Sequence, residues 1–366
     1  MDASPSPGSP PLPRRPRFRS AAILGGALAT ALLFSPLIGN VPLPPELVLK
    51  ILLHHLSAGA LFPSPCAGTA ISSRACGADV EIVWDERVPE VLLALGVGGA
   101  LGASGATLQG VFRNPLADPF LLGLSSGGTV GAALVLVFSI DVAHENLVLP
   151  LFAFAGALAT GAVVMLAARS RYGSVETLLL TGVALSSFLS SLLSLLLLLN
   201  PTGSLQVDFW LLGSIGSATW PVDGIVLGVV LVTGTLLSLY GRELNLLQLG
   251  GDVAQSLGVD TRRVRLVLLV LTSLTTAVAV AFTGVIGFVG LVSPHIVRRL
   301  AGPDYRTVVP GAAVVGGAFL LLARDASLLA LPSSVLPIGI FTAFAGAPFF
   351  AYLLYRRRGG APLGGG

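Results

Sequence analysis

The sequence predicts an all-α membrane protein, and composition, hydropathy and the spacing of apolar segments support this. Of its 366 residues, 54% are hydrophobic and 11% are charged, whereas soluble domains carry about 25% charged residues. The mean hydropathy is +0.87. The apolar residues group into about ten segments close to the ~20 residues that a membrane-crossing helix needs. This composition excludes an ordinary soluble enzyme, a disordered chain and a nucleic-acid-binding module.

The candidate spans follow one another along almost the whole chain. They lie near residues 21–40, 88–109, 120–138, 147–168, 177–199, 221–240, 264–283, 287–300, 307–323 and 337–355. The eighth is too short for a plain helix, so we expect an extended stretch from Gly284 to Gly290 and then a short helix. Such a backbone is stable in a membrane only if protein or a cavity surrounds it. The segment 46–61 is interrupted by one lysine and two histidines and is predicted to lie at the membrane surface.

The basic residues predict the orientation of the chain. If ten spans alternate from a cytoplasmic amino terminus, all but four of the 21 Lys and Arg residues fall on the inner side, the exceptions being Lys50, Arg74, Arg87 and Arg324. Basic residues accumulate in cytoplasmic loops, so both termini are predicted inside.

The predicted domain organisation follows from this orientation. A disordered basic tail (1–20) precedes a transmembrane domain (21–355), and a second cytoplasmic tail (356–366) follows it. The domain carries an outer loop at 41–87 and a cytoplasmic loop at 241–263.

The two cysteines, Cys66 and Cys76, both lie in the outer loop. A disulfide between them is plausible in an oxidising exterior, and two free thiols are the alternative.

Residue patterns typical of catalysis are absent from the sequence. The histidines are His54, His55, His144 and His295, and they form no metal-binding pair with ligand spacing. The spans contain no paired carboxylates, which an intramembrane enzyme would need. The sequence has no GxxxxGK[ST] motif for binding nucleotide phosphates, so any work driven by ATP requires a separate chain. The sequence therefore predicts neither an enzyme nor a metal site.

Four stretches carry a resemblance to a known family. They are 87–128, 209–220, 249–299 and 336–350, which include Arg113-Asn-Pro-Leu-Ala-Asp-Pro119 and Val292-Ser-Pro-His-Ile-Val-Arg-Arg299. With these stretches, the chain resembles the FecCD/BtuC family, the permease subunits of type II ABC importers for iron-siderophores, haem and vitamin B12.

The resemblance implies a BtuC-like permease fold of ten spans and a defined set of partners. These are a second copy of the chain, two cytoplasmic ATPase subunits that use ATP and Mg, and an extracytoplasmic substrate-binding protein. It implies no cofactor bound by this chain itself and no nucleic-acid partner.

The resemblance also implies a cytoplasmic gate in the turn that follows the second span, at Asn114, Pro115 and Leu116. The alternative is a structural turn with no gating role. A second gate element maps near Val175 and Glu176, where relatives more usually carry small hydroxyl residues.

A segment from Leu249 to Arg265 is expected to dock into the ATPase as a coupling element. The expected coupling residues are Gly251, Asp252, Ala254, Gln255, Leu257, Gly258 and Arg262. A small apolar face on a polar loop suits a partner's groove, and a solvated connector is the alternative.

The outer side departs from the family pattern. Relatives carry Arg-x-Pro-Arg before the second span, whereas this chain has Arg87-Val-Pro-Glu90. The expected docking residues for the binding protein are Arg87, Glu90, Arg324 and Asp325. Because the outer side holds about 11 of the 18 acids against four bases, the docking charges are expected to be altered or reversed.

The functional expectation is an importer permease in the cytoplasmic membrane that works by alternating access. A ferric siderophore or haem is the expected substrate, with vitamin B12 as the alternative. A stand-alone proton- or ion-coupled carrier is the alternative from another class, but it would need intramembrane acids or a selectivity filter.

Overall fold

The computed structural model describes residues 17–66, 73–140, 145–168, 175–331 and 335–358. The tail residues 1–16 and 359–366 lie outside this range. The helices are α1 Arg17–Phe34, α2 Pro45–Leu56, α3 Ser73–Glu81, α4 Val88–Phe112, α5 Leu124–Val137, α6 Glu145–Ala168, α7 Val175–Leu199, α8 Ser204–Leu211, α9 Trp220–Leu239, α10 Gly241–Gln248, α11 Gly251–Ser256, α12 Thr261–Thr283, α13 Val289–Ala301, α14 Tyr305–Ala330 and α15 Ile338–Arg358. A π-helical segment, Ile82–Arg87, leads into α4, and short 3-10 turns occur at Ser35–Leu37, Pro119–Leu122 and Pro201–Gly203.

The described part of the chain contains six helices that are long and apolar enough to cross a membrane. They are Ala75–Phe112, Leu147–Ala167, Glu176–Leu199, Trp220–Leu239, Thr261–Thr283 and Tyr305–Ala330. Shorter apolar helices lie at Ala22–Leu37, Leu124–Val137 and Ile338–Leu353. The all-helical prediction is therefore confirmed for the described residues, and the count of about ten spans stays a prediction.

The predicted third span, 120–138, is not one continuous α-helix. Pro119–Leu122 forms a 3-10 turn, and Gly123 adopts a left-handed backbone with φ of +73°. Helix α5 therefore begins only at Leu124 and has 14 residues. The cause is local, because the Asp118 carboxylate caps the short turn by accepting a hydrogen bond from the Phe120 N–H at 2.9 Å.

The eighth apolar segment has a non-helical stretch followed by the expected short helix, and this stretch ends before the predicted Gly290. Helix α12 ends at Thr283, residues 284–287 belong to no helix or strand, and α13 begins at Val289. Two carbonyls at the end of α12 accept hydrogen bonds from a neighbouring segment. The Ser214 N–H donates to the Thr283 carbonyl at 2.8 Å, and the Ser217 hydroxyl donates to the Phe282 carbonyl at 2.6 Å. These hydrogen bonds satisfy carbonyl groups that have no N–H partner within the helix and that would otherwise need water.

Helix α4 forms the centre of the bundle and contacts α9, α12, α13 and α14. Its glycines allow the neighbouring backbones to approach closely: Gly98 lies against Gly316 of α14, and Gly105 lies against Gly290 of α13, so that a Cβ at either position would overlap a carbonyl oxygen. Small residues at three- and four-residue spacing are typical of helix packing in lipid. The glycine-rich stretch 96–105 therefore serves packing.

The loop before α4 forms a small folded unit. Leu47, Val48 and Ile51 of α2 are buried against Val83 of the π-helical segment. Cys66 and Cys76 form a disulfide with their Cα atoms 5.8 Å apart, which joins the end of this loop to α3.

Candidate gate, coupling and docking sites

The predicted gate and docking residues lie at opposite ends of α4. Glu90 is in its first turn and Asn114 is the second residue after its end, so about 37 Å of helix separates the two ends. Helix α14 runs antiparallel to α4, because Gly98 contacts Gly316 while Gly102 contacts Ala312. We call the two ends of the bundle the gate end and the docking end.

The gate turn, residues 113–118, is a rigid turn. Arg113 adopts a left-handed conformation with φ of +51° that ends α4. The Asn114 N–H donates to the Gln109 carbonyl at 3.2 Å, and its side-chain oxygen accepts from the Leu116 N–H at 2.9 Å. The Asn114 side chain thus shapes the turn, while Leu116 remains 43% exposed at its tip.

The 3-10 turn after Asp118 attaches the gate turn to α7. Gly182 of α7 lies so close to Leu121 that a Cβ would overlap the Leu121 carbonyl oxygen. Burial raises the pKa of the Asp118 carboxyl to about 6, although its bond from Phe120 acts in the opposite direction. Glu176 is exposed in the first turn of α7, which begins at Val175. Helix α7 therefore contacts the 3-10 turn that follows the first predicted gate element, and the second predicted element, Val175 and Glu176, forms the start of the same helix.

A polar side chain of α4 and those of three neighbouring helices join α4 to the bundle at the gate end, and sequence reasoning missed them. Gln109 donates to the Gly290 carbonyl at 3.1 Å and accepts from Arg298 of α13 at 2.6 Å. Arg298 also lies over the Tyr305 ring, 5.6 Å from its centroid, and Gln248 of α10 donates to the Gly110 carbonyl at 2.8 Å. The motif 292–299 contains Arg298 and was the signal that could have found this cluster.

The first part of the predicted coupling segment, residues 249–258, lies between α10 and α12 along the chain. Gly250 and Gly258 take φ values of +115° and +85°, conformations that L side chains rarely adopt. Val253 and Leu257, four residues apart, are 45% and 54% exposed and share a face. The segment therefore presents a small apolar face bounded by two sharp bends.

Some of the predicted coupling residues lie on the exposed surface, and others are buried or bond the segment to α12. Asp252, Leu257, Gly258 and Arg262 are exposed. Ala254 is buried, and the Gln255 amide donates to the Thr261 hydroxyl at 3.0 Å, which ties the segment to the start of α12. Gly251 is half-buried and approaches the Arg265 guanidinium.

At the docking end, Arg324 of α14 is almost completely buried and neutralised within the chain. Its side chain is 2% exposed and donates to Glu90 Oε2 at 2.5 Å and to Asp325 Oδ1 at 3.1 Å. It also donates to the Ser35 and Ile38 carbonyls at 3.2 and 3.3 Å. Arg324 thus joins the end of α1 to α4 and α14.

Arg87 is buried in the same region. Its guanidinium donates to the carbonyls of Pro36 and Val41, and it fills the space next to Gly39 that a Cβ would need. The four predicted docking residues therefore lie in one neighbourhood, in which both arginines bond within the chain and Glu90 is 28% exposed. Their docking role stays a prediction.

These features define a class of protein: a helical protein with several membrane-crossing helices and a short exposed apolar face at one end of the bundle. The model of the FecCD transport family matches residues 27–356. The chain belongs to this family and is an ABC importer permease, a non-catalytic subunit in a system whose separate ATPase hydrolyses ATP.

Two curated relatives support this membership. The hemin transport system permease protein HmuU of Yersinia pestis is 41% identical over 282 residues, which cover 75% of this chain and 84% of the relative. The cobalamin import system permease protein BtuC of Halobacterium salinarum is 42% identical over 277 residues, which cover 75% of this chain and 74% of the relative. The family is therefore clear, while the relatives differ in their substrates.

A solved structure has the same fold. It is an inward-facing ABC transporter assigned to the metal-chelate type, with a TM-score of 0.76 and 28% sequence identity. The match covers 93% of this chain and 99% of that chain. The BtuC-like architecture expected from the resemblance is therefore confirmed.

Proposed function

We propose that this chain forms a homodimeric pathway that imports a large metal chelate, a ferric siderophore or haem, across the cytoplasmic membrane. Two ATPase subunits bind at the gate end in the cytoplasm, and a substrate-binding protein delivers the chelate at the docking end. ATP-driven closure of the ATPases shifts the dimer between two arrangements. In this arrangement about ten spans cross the membrane, with both termini and residues 241–263 inside and residues 41–87 outside.

The exposed apolar pair Val253 and Leu257 carries the proposal. The pair lies on a segment whose inner side is anchored by Ala254 and by the bond from Gln255 to Thr261. An apolar face at the polar end of a membrane bundle suits a groove on a partner protein. Because the segment is anchored to α12, movement of the partner would be transmitted into the bundle.

The proposed gating role is argued from the conformation of the turn at 113–118. Asn114 uses its side chain to hold the turn, and Pro115 stiffens it, so Leu116 is presented as an apolar plug. In the proposed dimer, two copies of Leu116 close the pathway together with Val175 and Glu176 at the start of α7.

The docking surface is proposed to carry reversed charge. Arg87 and Arg324 bond within the chain, whereas Glu81, Glu86 and Asp208 are exposed. We therefore expect a binding protein with basic residues opposite Glu90 and these acids. Replacing Glu86 and Asp208 by Gln should slow association at low salt, because such charges act mainly on the encounter rate. A cognate binding protein with acidic lobe tips would contradict the reversal.

The substrate is proposed from the relatives and from the charge-poor spans. A haem permease and a cobalamin permease are similarly close to this chain, so vitamin B12 is the second candidate. ATP hydrolysis by the assembled complex, compared with haem, ferric siderophore and cobalamin on the cognate binding protein, distinguishes them.

The coupling proposal is tested with Val253→Ser combined with Leu257→Ser in the assembled complex. We expect substrate-stimulated ATP hydrolysis and uptake to fall at least tenfold while the chain still inserts. Ser256→Ala, on the same segment, is the matched control and should retain stimulation. Unchanged uptake in the double variant, or robust uptake by vesicles that lack any ATPase, would contradict the proposal.

A further inference from the structure

A pocket of about 300 Å³ opens at the gate end between α4, α10, α13 and α14. Its main lining residues are Arg113, Gln248, His295, Arg298, Arg299 and Tyr305. The importer mechanism described above uses none of the three arginines to bind a ligand. Arg113 belongs to the gate turn, so an occupant of this pocket would touch the proposed gate directly.

The pocket is positively charged without compensation among the described residues. None of its lining residues is a carboxylate, and the ion pairs found in the described part of the chain do not involve Arg113, Arg298 or Arg299. The polar partners of Arg298 are neutral groups, the Gln109 amide oxygen and the Tyr305 hydroxyl. Three guanidinium groups therefore surround a space that contains no protein anion.

A fourth arginine, which does not line the pocket, lies near Arg113. Arg265 of α12 lies near enough to Arg113 for their like charges to interact. The Arg265 Nε is buried and has no hydrogen-bond partner among the described residues. Like charges gathered in and beside the pocket repel one another, and a bound anion would lower this electrostatic cost.

The donors in the pocket are suited to an oxyanion. Guanidinium groups present several N–H donors in a planar fork that matches phosphate oxygens. Basic pockets between transmembrane helices bind acidic lipid headgroups, and the volume lies at the small end of ligand cavities. Arg113 and Arg299 are exposed, so the pocket can be reached from outside the bundle.

We propose that this pocket binds a phosphate-type oxyanion, supplied by an anionic phospholipid headgroup or by a free phosphate compound. The bound anion would join Arg113 of the gate turn to Arg299 of α13. It would thereby hold the gate turn against α13, so that occupancy of the pocket favours one gate position.

Binding is measured on the full-length chain, delipidated in neutral detergent, by thermal unfolding and native mass spectrometry. One arm adds phosphatidylglycerol, one adds inorganic phosphate, and phosphatidylcholine is the neutral lipid. The pocket variant combines Arg113→Asn with Arg299→Gln; asparagine tolerates the left-handed backbone at 113. The control combines Arg242→Gln with Arg263→Gln, which removes two exposed arginines that do not line the pocket.

We expect phosphatidylglycerol to bind to the parent chain and to raise its unfolding temperature. The affinity of the pocket variant for this lipid should be at least tenfold weaker, and that of the control should be within twofold of the parent. Binding of inorganic phosphate with the same dependence on the pocket would identify a free phosphate compound as a sufficient ligand. Binding of the lipid alone would identify the headgroup. Arg299→Gln alone gives the same comparison should the double variant fail to fold, since the Arg299 side chain is exposed and makes no hydrogen bond or ion pair with another described residue.

Equal binding in the pocket variant and the control, or no binding of either anion, would overturn the proposal. The measurement contains no ATPase, binding protein or chelate. Its failure would therefore leave the importer proposal intact, and failure of the transport assays would leave this one intact.

Discussion

At the scale of single residues, the same side-chain type has opposite roles in different parts of the bundle. Arg324 is buried beside Glu90 and Asp325 and works as an internal connector. Arg298 is bonded only to neutral groups, and Arg299 is exposed. The arginines differ because the neighbouring helices offer carboxylates to Arg324 and neutral groups to Arg298. A buried charge is stable only with a compensating partner.

Asn114 provides a residue-scale prediction about the gate turn. Asn114→Ala removes the acceptor of the Leu116 N–H bond and should lower the free energy of unfolding by about 1 kcal/mol. It should also raise leakage of substrate when ATP is absent. Asn114→Asp keeps the acceptor oxygen and is the control, so equal behaviour of the two variants in thermal unfolding and vesicle leak assays would contradict this role.

Asp223 is a buried acid without an assigned role. It is 2% exposed in α9, and neither carboxylate oxygen has a hydrogen-bond partner among the described residues. Because an unpaired buried charge is costly, Asp223→Leu should raise the unfolding temperature by a few degrees. A lower unfolding temperature would indicate that the carboxylate has a partner in the assembled transporter.

At the scale of elements, the glycines decide how closely helices approach. Glycines of α4 contact the backbones of both α13 and α14, whereas Gly228 of α9 has no atom within 4 Å of a Cβ position. Composition alone treats these glycines alike. Their contacts separate those that are essential for packing from those that tolerate a side chain.

The corresponding prediction compares two single substitutions. In Gly102→Ala the new Cβ would overlap the Ala312 carbonyl oxygen, so α4 and α14 must separate, at a cost of about 1–3 kcal/mol. Gly228→Ala should be neutral or slightly stabilising, because alanine favours the helix. Unfolding temperatures of the two purified variants check this, and equal values would show that the close approach is unimportant.

At the scale of the whole molecule, a buried centre is surrounded by a lipophilic periphery. In the helix that contains α4, 89% of the most apolar window is buried inside the chain, whereas for α7 the value is 6%. Leu198 and Phe188 of α7 are 76% and 65% exposed. Such a surface is stable against lipid or against another apolar helix surface, as expected for a multi-pass membrane protein.

The topology is a whole-molecule prediction. In a Cys66→Ser, Cys76→Ser background, a cysteine that replaces Glu81 should react with an impermeant thiol reagent in intact cells. A cysteine that replaces Ser256 should react only after the membrane is permeabilised, since basic loops remain inside. Labelling of both positions, or of Ser256 alone, in intact cells would contradict the proposed orientation.

Part of the candidate site could be predicted from the sequence because its signals are local. The motif around Asn114, Pro115 and Leu116 indicated a turn after the second span, and the segment from Leu249 to Arg265 indicated a polar loop with a small apolar face. The motif 292–299 marked Arg298 as a candidate, but its bond to Gln109 could not be predicted, because the two residues lie 189 positions apart along the chain.

The sequence by itself determined that this protein is helical, membrane-spanning and a member of an importer permease family, since length, hydropathy and motifs are properties of neighbouring residues. Only the tertiary structure decided that Arg324 meets Ser35, 289 positions away, and that Arg113, Arg298 and Arg299 surround one pocket. A charge in a sequence has no known partner until the chain is folded, because its environment is built from distant segments.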